Sequence, residues 1–253
     1  MSEQGIDKPE AADVAPTTYD VHLEQAAEGA TLALILEFPG CFANGATREE
    51  ALERLQQAVV DYQAWLRRHD DYTPEVRGPF AFEVKEVFQI RFEGDEEINS
   101  FFTPDAQTAS EEDIEWALAL MKWQREDLLE RVGGLNDAAL DWVPSDALPD
   151  ARSIRSILDH LAQAEVWYMG RLDEAPPSII VANLPGPTLD RLQRVRQAAI
   201  VRITSYPKEL RGKIYTHRGE QWTLRKALRR VVWHERDHLN EIDELLQAYQ
   251  SKQ

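Results

Sequence analysis

Hydrophobic residues change their spacing once along this chain, near residue 110, and the change divides it. Before that point they alternate. Tyr19, Val21 and Leu23 stand between polar neighbours, and Leu32, Leu34, Leu36 and Phe38 repeat the period of two. Phe80, Phe82, Val84, Phe88, Ile90 and Phe92 form a further set, with Glu86 the single interruption. Side chains two apart share one face of a strand, so the pattern predicts half-buried β-strands. One helix interrupts them after the Pro39-Gly40 turn. Thr47 with Glu50 three residues on is a capping-box pair, and Leu52, Leu55, Val59, Tyr62 and Leu66 recur at helical spacing. Strands with one helix predict a small α+β domain over residues 18–93. A mobile tail rich in Ala, Pro and acids is expected over 1–17, and an acidic linker over 94–110.

From Ser110 the period becomes 3.6. Ile114, Leu118, Met121, Leu128 and Val132 mark a helix that Gly133-Gly134 stops. Ser153 opens a second, which carries Ile157, His160, Ala164 and Tyr168. A third follows Thr188 through Leu189, Leu192, Val195, Ala199 and Ile203. Thr223 caps the last, whose apolar stripe runs Ala227, Val231, His234, His238, Ile242, Leu245 and Tyr249. Four amphipathic helices in one region predict an all-α four-helix bundle over 111–250. The fold class expected is therefore multi-domain α+β: a small antiparallel sheet with one main helix, then a helical bundle.

Charge and cysteine usage narrow the function. The net charge of −17 is uneven: 22 acids face 8 bases up to Ser110, and 23 face 20 beyond it. Such a surface repels phosphate backbones, so nucleic-acid binding is not expected. The lone Cys41 excludes an internal disulfide and fits a reducing compartment. The first residues lack an apolar signal-peptide core, and no apolar run is long enough to span a bilayer. A soluble, cytoplasmic protein is expected.

The chemistry concentrates in three histidines. His234 and His238 lie one helical turn apart on an inward stripe, and His160 lies on the inward face of another helix. Imidazoles so placed can grip one metal ion, with Zn, Ni or Fe all suited to nitrogen ligands and coordination positions left open. The plainer alternative is three core histidines, each satisfied by a hydrogen bond. His234-Glu235-Arg236-Asp237-His238 also matches H-E-x-x-H, in which the Glu beside the first His is the general base of zinc proteases. No further His follows, and the chain ends 15 residues on, which argues against a protease and leaves Glu235 as a candidate catalytic residue. Arg225, Lys226, Arg229 and Arg230 form a basic cluster that is either a solvated face or a site for an anionic ligand, with Arg225 and Arg229 the candidates to bind a substrate or thiol. Cys41 reads as a small apolar filler.

Residues 110–249 resemble the DinB-like superfamily. The likeness is carried by Ser153-Ile154-Arg155-Ser156-Ile157-Leu158-Asp159-His160-Leu161, by Trp222-Thr223-Leu224-Arg225-Lys226-Ala227-Leu228, and by Trp233-His234-Glu235-Arg236-Asp237-His238. It implies a four-helix bundle with a metal-binding His triad, filled here by His160, His234 and His238. It also implies a divalent metal cofactor, homodimers in many members, and in some the conjugation of low-molecular-weight thiols to electrophiles. Residues 19–92 resemble HicB-like antitoxin domains through Phe38-Pro39-Gly40-Cys41-Phe42-Ala43-Asn44-Gly45-Ala46-Thr47 and Glu49-Glu50-Ala51-Leu52. That likeness implies docking of a protein partner or joining of protomers. The expected function is a metal-dependent thiol S-transferase, or a hydrolase, acting on a small molecule. The alternative is a non-catalytic regulatory or toxin–antitoxin-type binding protein with a structural or vestigial metal site.

Overall fold

The computed structural model describes residues 17–69, 80–94, 96–144, 151–175 and 179–252. Most of the expected tail therefore lies outside the described residues. The N-terminal part is a four-stranded sheet with one helix. Strands β1 (Thr17–Gln25), β2 (Thr31–Ile35), β3 (Cys41–Gly45) and β4 (Phe80–Gln89) take the order β3-β2-β1-β4. β1, β2 and β3 pair antiparallel, and β4 joins β1 in parallel. Parallel neighbours need a crossover, which α1 (Arg48–His69) supplies. Tyr19, Val21, Leu23, Ala33, Ile35, Cys41 and Ala43 form one face of the sheet, packed on Ala51, Leu55, Val59 and Tyr62 of α1. Gly45 lets the strand end meet the helix start, since a Cβ there would lie 2.4 Å from the Ala51 amide nitrogen.

The alternation of the sequence implied one wet face; β4 keeps one, with Glu83, Lys85, Val87 and Gln89 exposed, but in β2 the structure covers both. All five residues of β2 are buried. Leu32, Leu34 and Phe42 pack with Phe102, and Trp233 from the last helix lies against them. Strand β3 was not expected at all. It contains polar Asn44 and Gly45, and its extended form comes from pairing with β2 rather than from its own composition. Glu86, the interruption in the β4 pattern, faces His22 across a register shift in β1 and accepts from the Thr103 backbone and hydroxyl.

The segment expected as a linker is packed rather than trailing. A hairpin of β5 (Arg91–Glu93) and β6 (Glu96–Ile98) leads to a short 3-10 turn over Thr103–Ala106. Ser100, Phe102 and Asp105 are buried between the sheet and the helical part.

Four long helices follow: α2 (Glu111–Val132), α4 (Ile154–Gly170), α5 (Thr188–Thr204) and α6 (Leu224–Ser251), with the single turn α3 (Asp137–Leu140) after α2. Their starts are fixed locally. Ser110 and Asp113 form a reciprocal capping box, and the Ser153 and Thr223 side chains accept from the third helical amide. The hairpin of β7 (Tyr215–His217) and β8 (Glu220–Trp222) turns through Arg218 and Gly219, both at positive φ, and delivers the chain to Thr223. α2 packs on α6, α6 on α4, α4 on α5 and α5 on α2, closing a ring. Leu128, Ile157, Leu158, Leu161, Leu192 and Ile242 fill its centre. Among the described residues no helix is long and apolar enough to cross a membrane.

The N-terminal half of α6 touches both parts of the molecule, so it is buried all round instead of along one stripe. Arg230 reaches Glu24 of β1 at 3.1 Å, and Arg229 reaches Asp105 at 2.7 Å. Glu24 also accepts from Ser100 Oγ. Lys226, fully buried, donates to Glu220 and to the carbonyls of Asn99 and Gln221. Further along the helix, the Arg236 guanidinium lies over the rings of Tyr62 and Trp65 of α1. The basic cluster at the start of α6 is thus largely the mortar between sheet and helices.

Candidate metal centre

α4 and α6 cross with His160 facing His234 and His238. His234 and His238 share one side of α6 because four residues make about one turn. His160 comes from the stripe of α4 that also buries Ile157 and Leu161. The Nε2 atoms of His160 and His234 lie 3.1 Å apart, and those of His238 and His234 lie 3.2 Å apart. One ligand atom from each ring falls within 4.8 Å of the others. Nitrogens bonded tetrahedrally to one ion at 2.0–2.1 Å sit about 3.3 Å apart. The two separations from His234 are therefore already close to the spacing that a single divalent ion requires.

Electrostatics favour the ligand form. Burial, reinforced by the neighbouring His238, lowers the His160 pKa to about 4. Burial, with His238 and His160 beside it, lowers His234 to about 2. Both rings are neutral near pH 7, with lone pairs free to coordinate. His238 is held by its other nitrogen: Nδ1 lies 2.7 Å from Glu241 Oε2, and Arg152 grips that carboxylate at 3.1 Å. A carboxylate on Nδ1 fixes the ring and leaves Nε2 for a metal. His234 and His238 are buried, whereas His160 is exposed, so the cluster is approached from the α4 side. Behind it, the void bordered by His234, Tyr168 and Glu235 measures about 10 Å³, room for a single water at most. Three imidazoles with one open side suit a site that admits an outside ligand, in contrast to a closed four-ligand structural site.

Residues 120–242 match the family model of the DinB superfamily. No curated protein and no solved structure matches the chain. The DinB superfamily segment contains His160, His234 and His238 together with the parts of α2, α4, α5 and α6 that hold them. The sheet lies outside it, and the HicB-like character of that region rests on the sequence pattern over residues 38–52 alone.

Glu235 does not join the cluster. Its side chain turns into the centre of the helical ring, where Arg125 Nε donates to Oε1 at 2.8 Å and Arg196 Nη2 donates to Oε2. Glu165 accepts from Arg196 Nε at 2.6 Å and from Arg125 Nη2 at 3.3 Å. Each of the four long helices thus contributes one charge to a closed quartet: Arg125 from α2, Glu165 from α4, Arg196 from α5 and Glu235 from α6. Burial alone would raise the Glu235 pKa, but Arg125 and Arg196 together outweigh it and hold the carboxyl below its ordinary range. A carboxylate locked between two guanidiniums is a poor general base, which removes the physical basis of the protease reading.

Arg225 and Arg229 also stand apart from the imidazoles. Arg225 pairs with Asp113 at 2.7 Å, and Arg229 is engaged by Asp105. Both line a cavity between the sheet and the helices that His160, His234 and His238 do not border. Cys41 is buried behind α1, and that burial pushes its thiol up to about 12, so it is an apolar filler. Sequence reasoning missed Arg125, Glu165 and Arg196 as supports of α6, since nothing in the chain's spacing links four helices. Glu241 was legible in principle, standing three residues after His238 on one face of a helix.

Proposed function

We propose that this chain is a divalent-metal-dependent enzyme that transfers a low-molecular-weight thiol onto a small electrophilic substrate. The observation carrying the reading is the convergence of three imidazoles, two buried and one exposed, with Nε2 of His160 and of His238 each within about one ligand–ligand spacing of His234 Nε2. A bound divalent ion lowers the pKa of a thiol or water that joins it and so supplies a nucleophile near neutral pH. The chain supplies the rest. His160, His234 and His238 hold the ion, and Glu241 keeps His238 turned toward it. The quartet around Glu235 fixes α6 relative to the other three helices. Small substrates enter past His160, because the inner side is filled. In the transfer, the thiol sulfur forms a bond to the electrophilic carbon, the leaving group departs with its electron pair, and the thiol proton passes to solvent on the His160 side. Hydrolysis is the variant in which water takes the place of the thiol. A homodimer and a partner-docking role for the sheet belong to this proposal through the likenesses in the sequence.

The test uses protein purified without a His tag. Bound metals are measured, and transfer of common bacterial thiols onto monochlorobimane is followed before and after chelation. Activity that chelation removes and metal restores supports the proposal. The small void behind His234 favours a second reading, a metal that is structural in a regulatory binding protein. Stoichiometric metal with no turnover of any thiol or ester substrate selects that reading.

A further inference from the structure

A cavity of about 310 Å³ lies where the sheet meets α2 and α6, away from the three imidazoles. Its size is at the lower end of the range that holds small organic ligands. Its walls differ in chemistry. Trp116, Leu36 and Leu228 give it an apolar side. Arg229 and His22 line it as well, each no more than 7% exposed, and each keeps a nitrogen without a hydrogen-bond partner: Nη1 of Arg229 and Nδ1 of His22. That Nη1 lies 3.7 Å from Glu24 Oε1, close enough for an ion pair but beyond hydrogen-bond reach. Unpaired polar atoms at this depth are costly in a native fold and point to a partner that is bound in use. Arg225, also on the wall, spends only Nη1 on Asp113 and has further donors to offer. Asp20 and Glu37 border the same cavity, apart from the Asp105 and Asp113 carboxylates that Arg229 and Arg225 already hold, and Asp20 shares its charge with Lys85 at 3.3 Å.

We propose that this cavity binds a small zwitterionic amino acid with an apolar side chain. The ligand carboxylate meets Arg225 and Arg229, its ammonium meets Asp20 and Glu37, and its side chain lies against Trp116 and Leu228. A monocarboxylate without an amine leaves the acidic side unmatched, and an amine without a carboxylate leaves the guanidiniums unmatched. An occupant in this position touches β1, α2 and α6 together, so it ties the sheet to the helix that carries His234 and His238. The site is independent of whether the metal centre is catalytic.

Titration calorimetry and thermal unfolding of the full-length, metal-loaded chain test the assignment, with L-phenylalanine, L-leucine, 3-phenylpropanoate and 2-phenylethylamine as probes. Saturable binding of an amino acid, at least about tenfold tighter than either half-ligand, is expected. Ala117→Phe places a ring in the cavity and is expected to abolish binding while metal content stays unchanged. Arg225→Ala, at a half-buried position, is expected to weaken binding by about tenfold or more and serves if Ala117→Phe does not fold. No binding of either amino acid at millimolar concentration overturns the proposal. So does equal binding of the half-ligands, or undiminished binding in whichever of these variants folds.

Discussion

His234 and Glu235 are consecutive residues of one helix, both buried, and they face entirely different surroundings. Glu235 enters a quartet in which two carboxylates and two guanidiniums cancel and nearly every donor finds an oxygen. His234 enters a group of three imidazoles whose nitrogens are turned on one another, with Glu241 held against the far nitrogen of His238. A balanced, saturated cluster has nothing left to offer a ligand and serves to join helices. A cluster of imidazole nitrogens turned on one another has lone pairs that a cation can take up. The contrast separates architecture from chemistry on a single turn of α6, and it does so against the H-E-x-x-H pattern, which would have put both residues in one active site.

The largest effect expected from that contrast is on stability. Glu235→Ala strands Arg125 and Arg196 in the core, and breaking a buried ion pair in this way costs about 3–5 kcal/mol. Denaturant melts of metal-free protein are expected to show that loss for Glu235→Ala and a smaller one for His234→Ala. Metal content should follow the opposite order, lost in His234→Ala and kept in whatever fraction of Glu235→Ala folds. If Glu235→Gln instead keeps full stability and loses only activity, Glu235 is a catalytic base and the contrast fails.

Metal itself gives the next effect. An ion that binds only the folded chain adds about 2.7 kcal/mol at a hundredfold excess over its Kd. Wild type is expected to gain on this scale in melts with added Zn, Ni or Fe, and His234→Ala to gain almost nothing. A smaller change is expected for Glu241→Gln, which leaves all three imidazoles in place but loosens His238. Its metal affinity should fall by about 10–100-fold, while its metal-free melt stays close to wild type. Unchanged affinity would remove Glu241 from the account.

The smallest effect is the pH dependence of the metal-free chain. The folded pKa of His234 is held at about 2, below the 6.5 of a free imidazole. The unfolded chain therefore takes up a proton that the folded chain refuses as pH drops below 6.5. Stability is fully present above that point and falls on acidification by roughly 1.4 kcal/mol per pH unit from this one group. Chelator-treated wild type should show a steeper loss between pH 6.5 and 5 than His234→Ala. Equal slopes would mean that His234 already carries its proton in the fold.

These differences also mark what the sequence made legible. Ser110, Ser153 and Thr223 announced three helix starts because a cap is a local device, satisfied within a few residues. The metal cluster was legible for a similar reason: two of its members are helical neighbours, and the third shares a helical stripe with the buried Ile157 and Leu161, although it is itself exposed rather than buried. Strand β3 was not legible, since Cys41–Gly45 is extended only because β2 lies beside it. Nor was the fate of Arg229 and Arg230, whose partners Asp105 and Glu24 are more than a hundred residues away. Spacing along the chain reports a helix face faithfully, but it does not report what a distant segment brings to that face. For the same reason the stretch from Gly94 to Ala109 looked like a tether, although Ser100, Phe102 and Asp105 are wedged between sheet and helices.

One measurement bears most directly on the metal centre: the metal content of wild type and His160→Ala, expressed without a His tag and purified side by side. His160 is the exposed member of the cluster, so its removal spares the packed core while taking away a ligand. About one divalent ion per chain is expected in wild type, and a large loss in the variant. Equal metal in both, or none in wild type even after loading, would contradict the claim that these three imidazoles form one site.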